Sequence, residues 1–182
     1  MVKNILFLFL IAIFLKVLVY KGNVNASSKN SYSDTSIIAF STKPIVDSTK
    51  FKEVLLDSMI NFAKKFIGLP YRYKGFDNSG FDCSGYIHYV FNNFGYNVPR
   101  SSIGLAGIGK EISLCEAKKG DLLFFKGRNI GNKKIGHVSM VIAVDENSVT
   151  MIHSTRRGII IDRLNEIDYY KTRFITARHL DL

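Results

Sequence analysis

Cysteine, histidine and acidic side chains are all scarce in this 182-residue chain, which has two Cys, four His and 15 Asp plus Glu against 25 Lys plus Arg. With two cysteines, no CxxC pair and no HExxH motif, a structural zinc site is not expected, and neither is another metal or cofactor. The shortage of acids leaves a formal charge of +10. Such a surface suits an anionic partner: nucleic acid, a membrane surface or an acidic polymer outside the cell. No recognised nucleic-acid-binding motif is present, which argues against the first. Internal repeats are also absent. Long apolar runs are missing as well, because the stretch from Ile5 to Leu15 is broken by Lys16 short of the ~20 residues that a membrane span needs. What is present excludes a disordered chain or a coiled coil: 47% hydrophobic and 13% aromatic residues, with 14 Gly and 14 Phe. The length suits one domain with appendages.

The first 26 residues read as a secretory signal. Lys3 supplies the basic start, Ile5 to Leu15 the apolar centre, and Val24 and Ala26 the small residues before a cut. An uncleaved anchor is the alternative, and only in that case is a membrane partner expected. Removing Lys3, Lys16 and Lys21 with no acid leaves +7 on the mature chain. Residues 27–50 form a tether in which 10 of 24 residues are Ser or Thr. The folded domain spans 51–182. Phe51, Leu55, Met59, Phe62 and Phe66 recur as one stripe of an amphipathic helix. Asp47, Ser48 and Thr49 can cap its start, and Gly68 and Pro70 end it. A second helix carries Ile87, Val90, Phe91 and Phe94 and stops at Gly95. From Asp121 the period changes to two, in segments near 121–126, 136–144, 148–154, 158–163 and 172–179, as expected of an antiparallel meander. Helices first and strands after make an α+β fold with the helices packed on the sheet.

The two cysteines differ in setting. Cys83, in Asp82-Cys83-Ser84-Gly85, falls where a Gly-rich loop enters the second helix. Free amides and the helix dipole favour a thiolate there. Asp82 opposes it unless its carboxylate is engaged in capping. Cys115 lies in a polar connection without a nearby His, and the two could instead be joined as a disulfide. His137 opens one apolar strand and His153 closes the next. If Asp145, Glu146 and Asn147 form a three-residue hairpin loop, Val144 pairs with Ser148 and His153 opposes Ser139. His153 then lies diagonally beside His137 on one face. A loop one residue longer or shorter would put the two imidazoles on opposite faces. A Cys at a helix start with two same-face His at strand ends fits nucleophile, base and orienting group. Gly104 to Lys110 has the spacing of a phosphate loop, but Glu111 stands where Ser or Thr is needed, and the segment reads as a flexible loop.

Ordered motifs from about Phe62 to Leu180 carry a family resemblance. They are Gly68-Leu69-Pro70-Tyr71-Arg72-Tyr73, Gly80-Phe81-Asp82-Cys83-Ser84-Gly85 and Val98-Pro99-Arg100-Ser101-Ser102, then Gly120-Asp121-Leu122-Leu123-Phe124-Phe125, Gly136-His137-Val138-Ser139-Met140-Val141 and Ile152-His153-Ser154. With these the sequence resembles the NlpC family of cell-wall cysteine peptidases, within it the small Spr-like murein endopeptidases. The resemblance implies a papain-like fold, with the Cys-bearing helix on a central antiparallel sheet, and hydrolysis of amide bonds in peptidoglycan stem peptides or cross-links. It implies Cys83 as nucleophile, His137 as base and His153 as the third member. Tyr71 would bind substrate or the oxyanion, with Asp82 and Ser84 lining the cleft. Where related sequences often carry Gln after Arg100-Ser101-Ser102, this chain has Leu105 and Ala106. The expected protein is an exported monomer, in the periplasm or at the cell surface, with peptidoglycan as partner. A catalytically silent wall-binding module and an amidase or acyltransferase on the same scaffold are the alternatives.

Overall fold

The computed structural model describes residues 48–182. The signal segment and most of the tether lie outside the described residues. Helix α1 (Ser48–Lys64) begins at Ser48, ahead of Phe51, and a left-handed Gly68 (φ 90°) turns the chain away after it. Its buried stripe is Met59, Ile60 and Ala63, continued by Phe66 in the turn that follows, while Phe51, expected on that stripe, stays 62% exposed. The difference arises because α2 (Cys83–Asn93) meets only the C-terminal half of α1. There the Tyr86 hydroxyl donates to the Ala63 carbonyl at 2.8 Å, and Phe62 stacks on Tyr89. Between the helices, β1 (Phe76–Asp77) and β2 (Gly80–Phe81) make a small hairpin. After α2, Gly95 adopts φ 85° and a short helix α3 (Ser102–Ala106) follows.

Six strands form the main sheet: β3 (Lys110–Ile112), β4 (Leu122–Lys126), β5 (Ile135–Val144), β6 (Val149–Thr155), β7 (Gly158–Arg163) and β8 (Phe174–His179). Their order is β3-β8-β4-β5-β6-β7, all antiparallel. The fold is the α+β, papain-like arrangement that the sequence implies. The sheet departs from a plain meander in two ways. A short helix α4 (Asp168–Lys171) returns the chain across the sheet, so β8 pairs with β4 rather than with β7. Residues 104–110, expected as a flexible loop, instead continue α3 into β3, which caps the edge beside β8. One sheet face carries Leu122, Phe124, Val138, Met140 and Ile152 against Tyr86, Ile87 and Val90 of α2. The other carries Leu123, Phe125, Val141, Met151 and Ala177 with Leu164 and Tyr170. Among the described residues, no helix is long and apolar enough to cross a membrane.

Candidate active site

Cys83 is the first residue of α2 and is buried, 8% exposed. Asp82 caps the helix: its Oδ1 accepts from the Gly85 amide at 2.7 Å. Arg100 grips the same carboxylate from the far side, with Nη1 and Nη2 each donating at 2.9 Å. Arg100 also donates to Ser84 Oγ and to the Gly75 carbonyl, which fixes the loop that precedes α2. Asp82 and Ser84, predicted to line the cleft, are thus engaged with each other and with Arg100. There is no room at Gly85 for a side chain, since a Cβ would stand 2.2 Å from the Gly75 oxygen. The Cys83 sulfur lies against the backbone N–H groups of Val138 and Ser84. Burial still pushes the thiol above its ordinary value, because the loss of water outweighs these amides, and the nearby Asp82 carboxylate adds to the rise. Tyr71 lies within electrostatic reach of Cys83, Asp82 and Arg156, and its phenol is pushed up chiefly by burial. It is held there by a bridge from Tyr71 to Phe81.

The two imidazoles meet: His137 Nε2 and His153 Nδ1 are 2.9 Å apart. The route to this contact differs from the one expected. The β5–β6 loop is one residue longer, with Val144 paired to Val149 rather than Ser148, and a β-bulge between Val141 and Ala143 restores the register. Beyond the bulge, Val141 pairs with Met151 and Met140 with Ile152. Both histidines therefore fall on the Phe125 and Tyr170 face, where Tyr170 packs flat against His137 and tilted against His153. Burial, helped by the facing His153, pushes the His137 pKa down to about 3. His153 is fully buried and likewise lowered by loss of water, against the pull of Asp162.

Asp162 is the residue that sequence reasoning missed. Its Oδ2 sits 3.0 Å from His153 Nε2 and accepts a second bond from Arg157, whose guanidinium also bonds Tyr170. The signal was present: a two-residue turn at Arg156-Arg157 pairs His153 with Ile160, which sets Asp162 diagonally on the His153 face. Cys115 is exposed, and both cysteines are free thiols. Among the described residues, no group of three or more His, Cys, Asp and Glu is arranged to hold a metal ion. Chemically, the site offers a sulfur at a helix start, an imidazole kept neutral near pH 7, and a polar chain behind it.

Comparisons with known proteins find relatives along most of the folded domain. The sequence pattern of the NlpC/P60 family matches residues 68–179. The chain is 37% identical over 126 residues to a gamma-D-glutamyl-L-lysine dipeptidyl-peptidase of Bacillus cereus, covering 68% of this chain and 36% of that protein. It thus spans about a third of that relative's length. With the murein DD-endopeptidase MepS/murein LD-carboxypeptidase of Escherichia coli (strain K12) it shares 28% identity over 180 residues, covering 93% of this chain and 89% of the relative. Among solved structures, an NlpC/P60 family protein from Bacillus cereus superposes with a TM-score of 0.61 at 35% identity, covering 68% of this chain and 39% of that one.

Proposed function

The chain belongs to the NlpC/P60 family, and from that premise we propose that it is an exported, thiol-dependent endopeptidase that hydrolyses amide bonds in peptidoglycan stem peptides or cross-links. The observation that carries this reading is the His137–His153 contact at 2.9 Å on a strand whose next residue, Val138, offers its amide to the Cys83 sulfur. Cys83 is the nucleophile, His137 the base and His153 the group that orients it. The sulfur attacks the amide carbonyl carbon while its proton passes to His137, and the proton then goes to the departing amine. The resulting thioester is attacked by water, whose proton His137 accepts and returns to the sulfur as Cys83 is released. The Cys83 amide and the Tyr71 hydroxyl face the developing oxyanion. Asp82, Ser84 and Arg100 act together to hold the loop and the helix start in place, and so shape the cleft. The basic surface, +7 once residues 1–26 are removed, suits an anionic wall polymer.

The relatives named for murein and for gamma-D-glutamyl peptide cleavage support the substrate class. The test is mass spectrometry of soluble products from purified sacculi. Peptide fragments with new amide-derived ends are expected with the wild-type protein and absent with Cys83→Ala. Intact sacculi after wild-type treatment, or equal release by the variant, would refute the reading.

A further inference from the structure

The chain of contacts behind the two imidazoles does not end at His153, and its far end decides which nitrogens carry protons. We propose that Asp162 and Arg157 form a tautomer lock: Asp162 is a positioning residue for His153, and Arg157 is the charge that joins burial in opposing a second proton on that ring. The lock rests on the reading of His137 as base.

A carboxylate can only accept, and Asp162 Oδ2 lies 3.0 Å from His153 Nε2, so the proton of neutral His153 sits on Nε2. His153 Nδ1 is then a bare lone pair, and it faces His137 Nε2 at 2.9 Å. His137 must donate from Nε2, which leaves its Nδ1 unprotonated and free to accept the thiol proton. Every proton position in the chain follows from the ionised state of Asp162. Two neighbours, His153 and Arg157, hold Asp162 below the usual carboxylate range against the effect of its own burial.

Burial does most to keep a second proton off His153, and Arg157 adds its positive charge against the pull of the nearly buried Asp162 carboxylate. An imidazolium at His153 would carry N–H on both nitrogens. Its Nδ1–H would point at His137 Nε2 and force the His137 proton onto Nδ1, and the base would be lost. The groups facing His153 are His137 from β5, Asp162 from β7, Arg157 from the β6–β7 turn and Tyr170 from α4. Tyr170 stays protonated, its pKa pushed up to about 12 by burial. Arg157 is therefore the fixed positive charge in this set, and it opposes a second one on the ring. The turn makes the assignment specific: Thr155 pairs with Gly158 across Arg156 and Arg157. Arg157 bonds Asp162, whereas the charge of Arg156 is felt at Tyr71.

The experiment pairs 15N NMR of the imidazole nitrogens with pH profiles of kcat/KM on sacculus-derived peptides, using the full chain. In the wild-type protein His153 is expected as the Nε2–H tautomer from pH 5 to 8, a readout that needs neither a variant nor activity. In Asp162→Asn, Arg157 holds the amide oxygen and turns the NH2 group toward His153. That flips both tautomers and lowers kcat/KM at least ~100-fold at every pH, by analogy with the wrong-tautomer loss in Ser-His-Asp triads. Arg157→Gln is expected to move the acid limb of kcat/KM upward by about one pH unit, with activity regained as pH rises, and Arg157→Lys to move it back. A wild-type His153 with its proton on Nδ1 would overturn the lock. So would variants that lose activity with unchanged tautomers and unchanged pH profiles, which is the mark of a purely structural role. An inactive wild-type protein with the expected tautomers would refute the hydrolase reading and leave the lock standing.

Discussion

Ser154 Oγ donates to the Phe81 carbonyl at 2.7 Å, and both residues are fully buried. This bond ties the strand that carries His153 to the segment that enters α2 two residues before Cys83, and so fixes the distance between the two halves of the site. In Ser154→Ala the Phe81 carbonyl keeps the Arg72 amide as donor, so the expected loss is about 1 kcal/mol rather than that of an orphaned group. Urea unfolding measures that part. A fall in kcat larger than any rise in KM measures the loosened site, and unchanged kcat would show that the tie plays no part in positioning Cys83.

The helix start does not make Cys83 a resting thiolate, contrary to what its place in the sequence suggests. Burial raises the thiol, and His137 is pushed down to about 3, so near pH 7 the free protein holds both the Cys83 thiol and the His137 imidazole neutral. Alkylation by iodoacetamide is expected to be slow near pH 7 and to climb with pH beyond the usual thiol range. A flat, fast rate from pH 5 to 7 would instead report an ion pair. The measurement uses a Cys115→Ser background, because Cys115 is exposed and reacts independently.

Acid should destabilise the fold earlier than its carboxylates alone would dictate. His137 and His153 both have lowered folded pKa values, while an unfolded histidine titrates near about 6.5. Below that point the unfolded chain binds protons that the folded one refuses. Stability is therefore full above about pH 6.5 and falls as pH drops toward the folded values. The urea midpoint is expected to be lower at pH 5 than at pH 7.5, with a smaller drop in the double variant His137→Gln/His153→Gln. Equal drops in the two proteins would contradict the assignment.

Gly85 is the tightest point of the loop clamp. A Cβ there meets the Gly75 carbonyl at 2.2 Å and Arg100 Nη2 at 2.6 Å. The backbone oxygen cannot step aside cheaply, so Gly85→Ala is expected to cost about 1–3 kcal/mol, the range for overpacking, and to displace Arg100 from Asp82. Thermal unfolding checks the first effect and activity the second. By contrast, Gly95 has open space around it, so any cost of Gly95→Ala reflects its left-handed backbone alone.

Periodicity made much of this fold legible before any coordinates. The Cys83 helix, the five long strands and the shared face of His137 and His153 all follow from residues at helical or alternating spacing. What escaped depends on contacts distant in sequence. The pairing of β8 with β4 is set by the turn through α4, and β3 exists only because β8 offers it an edge. Phe51 has an apolar side chain at the right spacing but no partner to bury it, since α2 ends short of it. The β5–β6 loop shows how a correct face can be reached through a wrong turn: one extra loop residue is cancelled by the bulge between Val141 and Ala143. Asp162 sits among isoleucines in Gly158-Ile159-Ile160-Ile161-Asp162 and gives no motif, and only the register across the Arg156-Arg157 turn brings it to His153.

The most direct test of the account is intact-protein mass spectrometry after rapid acid quench of wild-type protein mixed with a muropeptide. The account predicts a transient mass increase equal to the acyl half of the cleaved peptide, located on Cys83 by proteolytic mapping and absent in Cys83→Ala. Turnover by Cys83→Ala at the wild-type rate, or an acyl group mapped to any other residue, would contradict it.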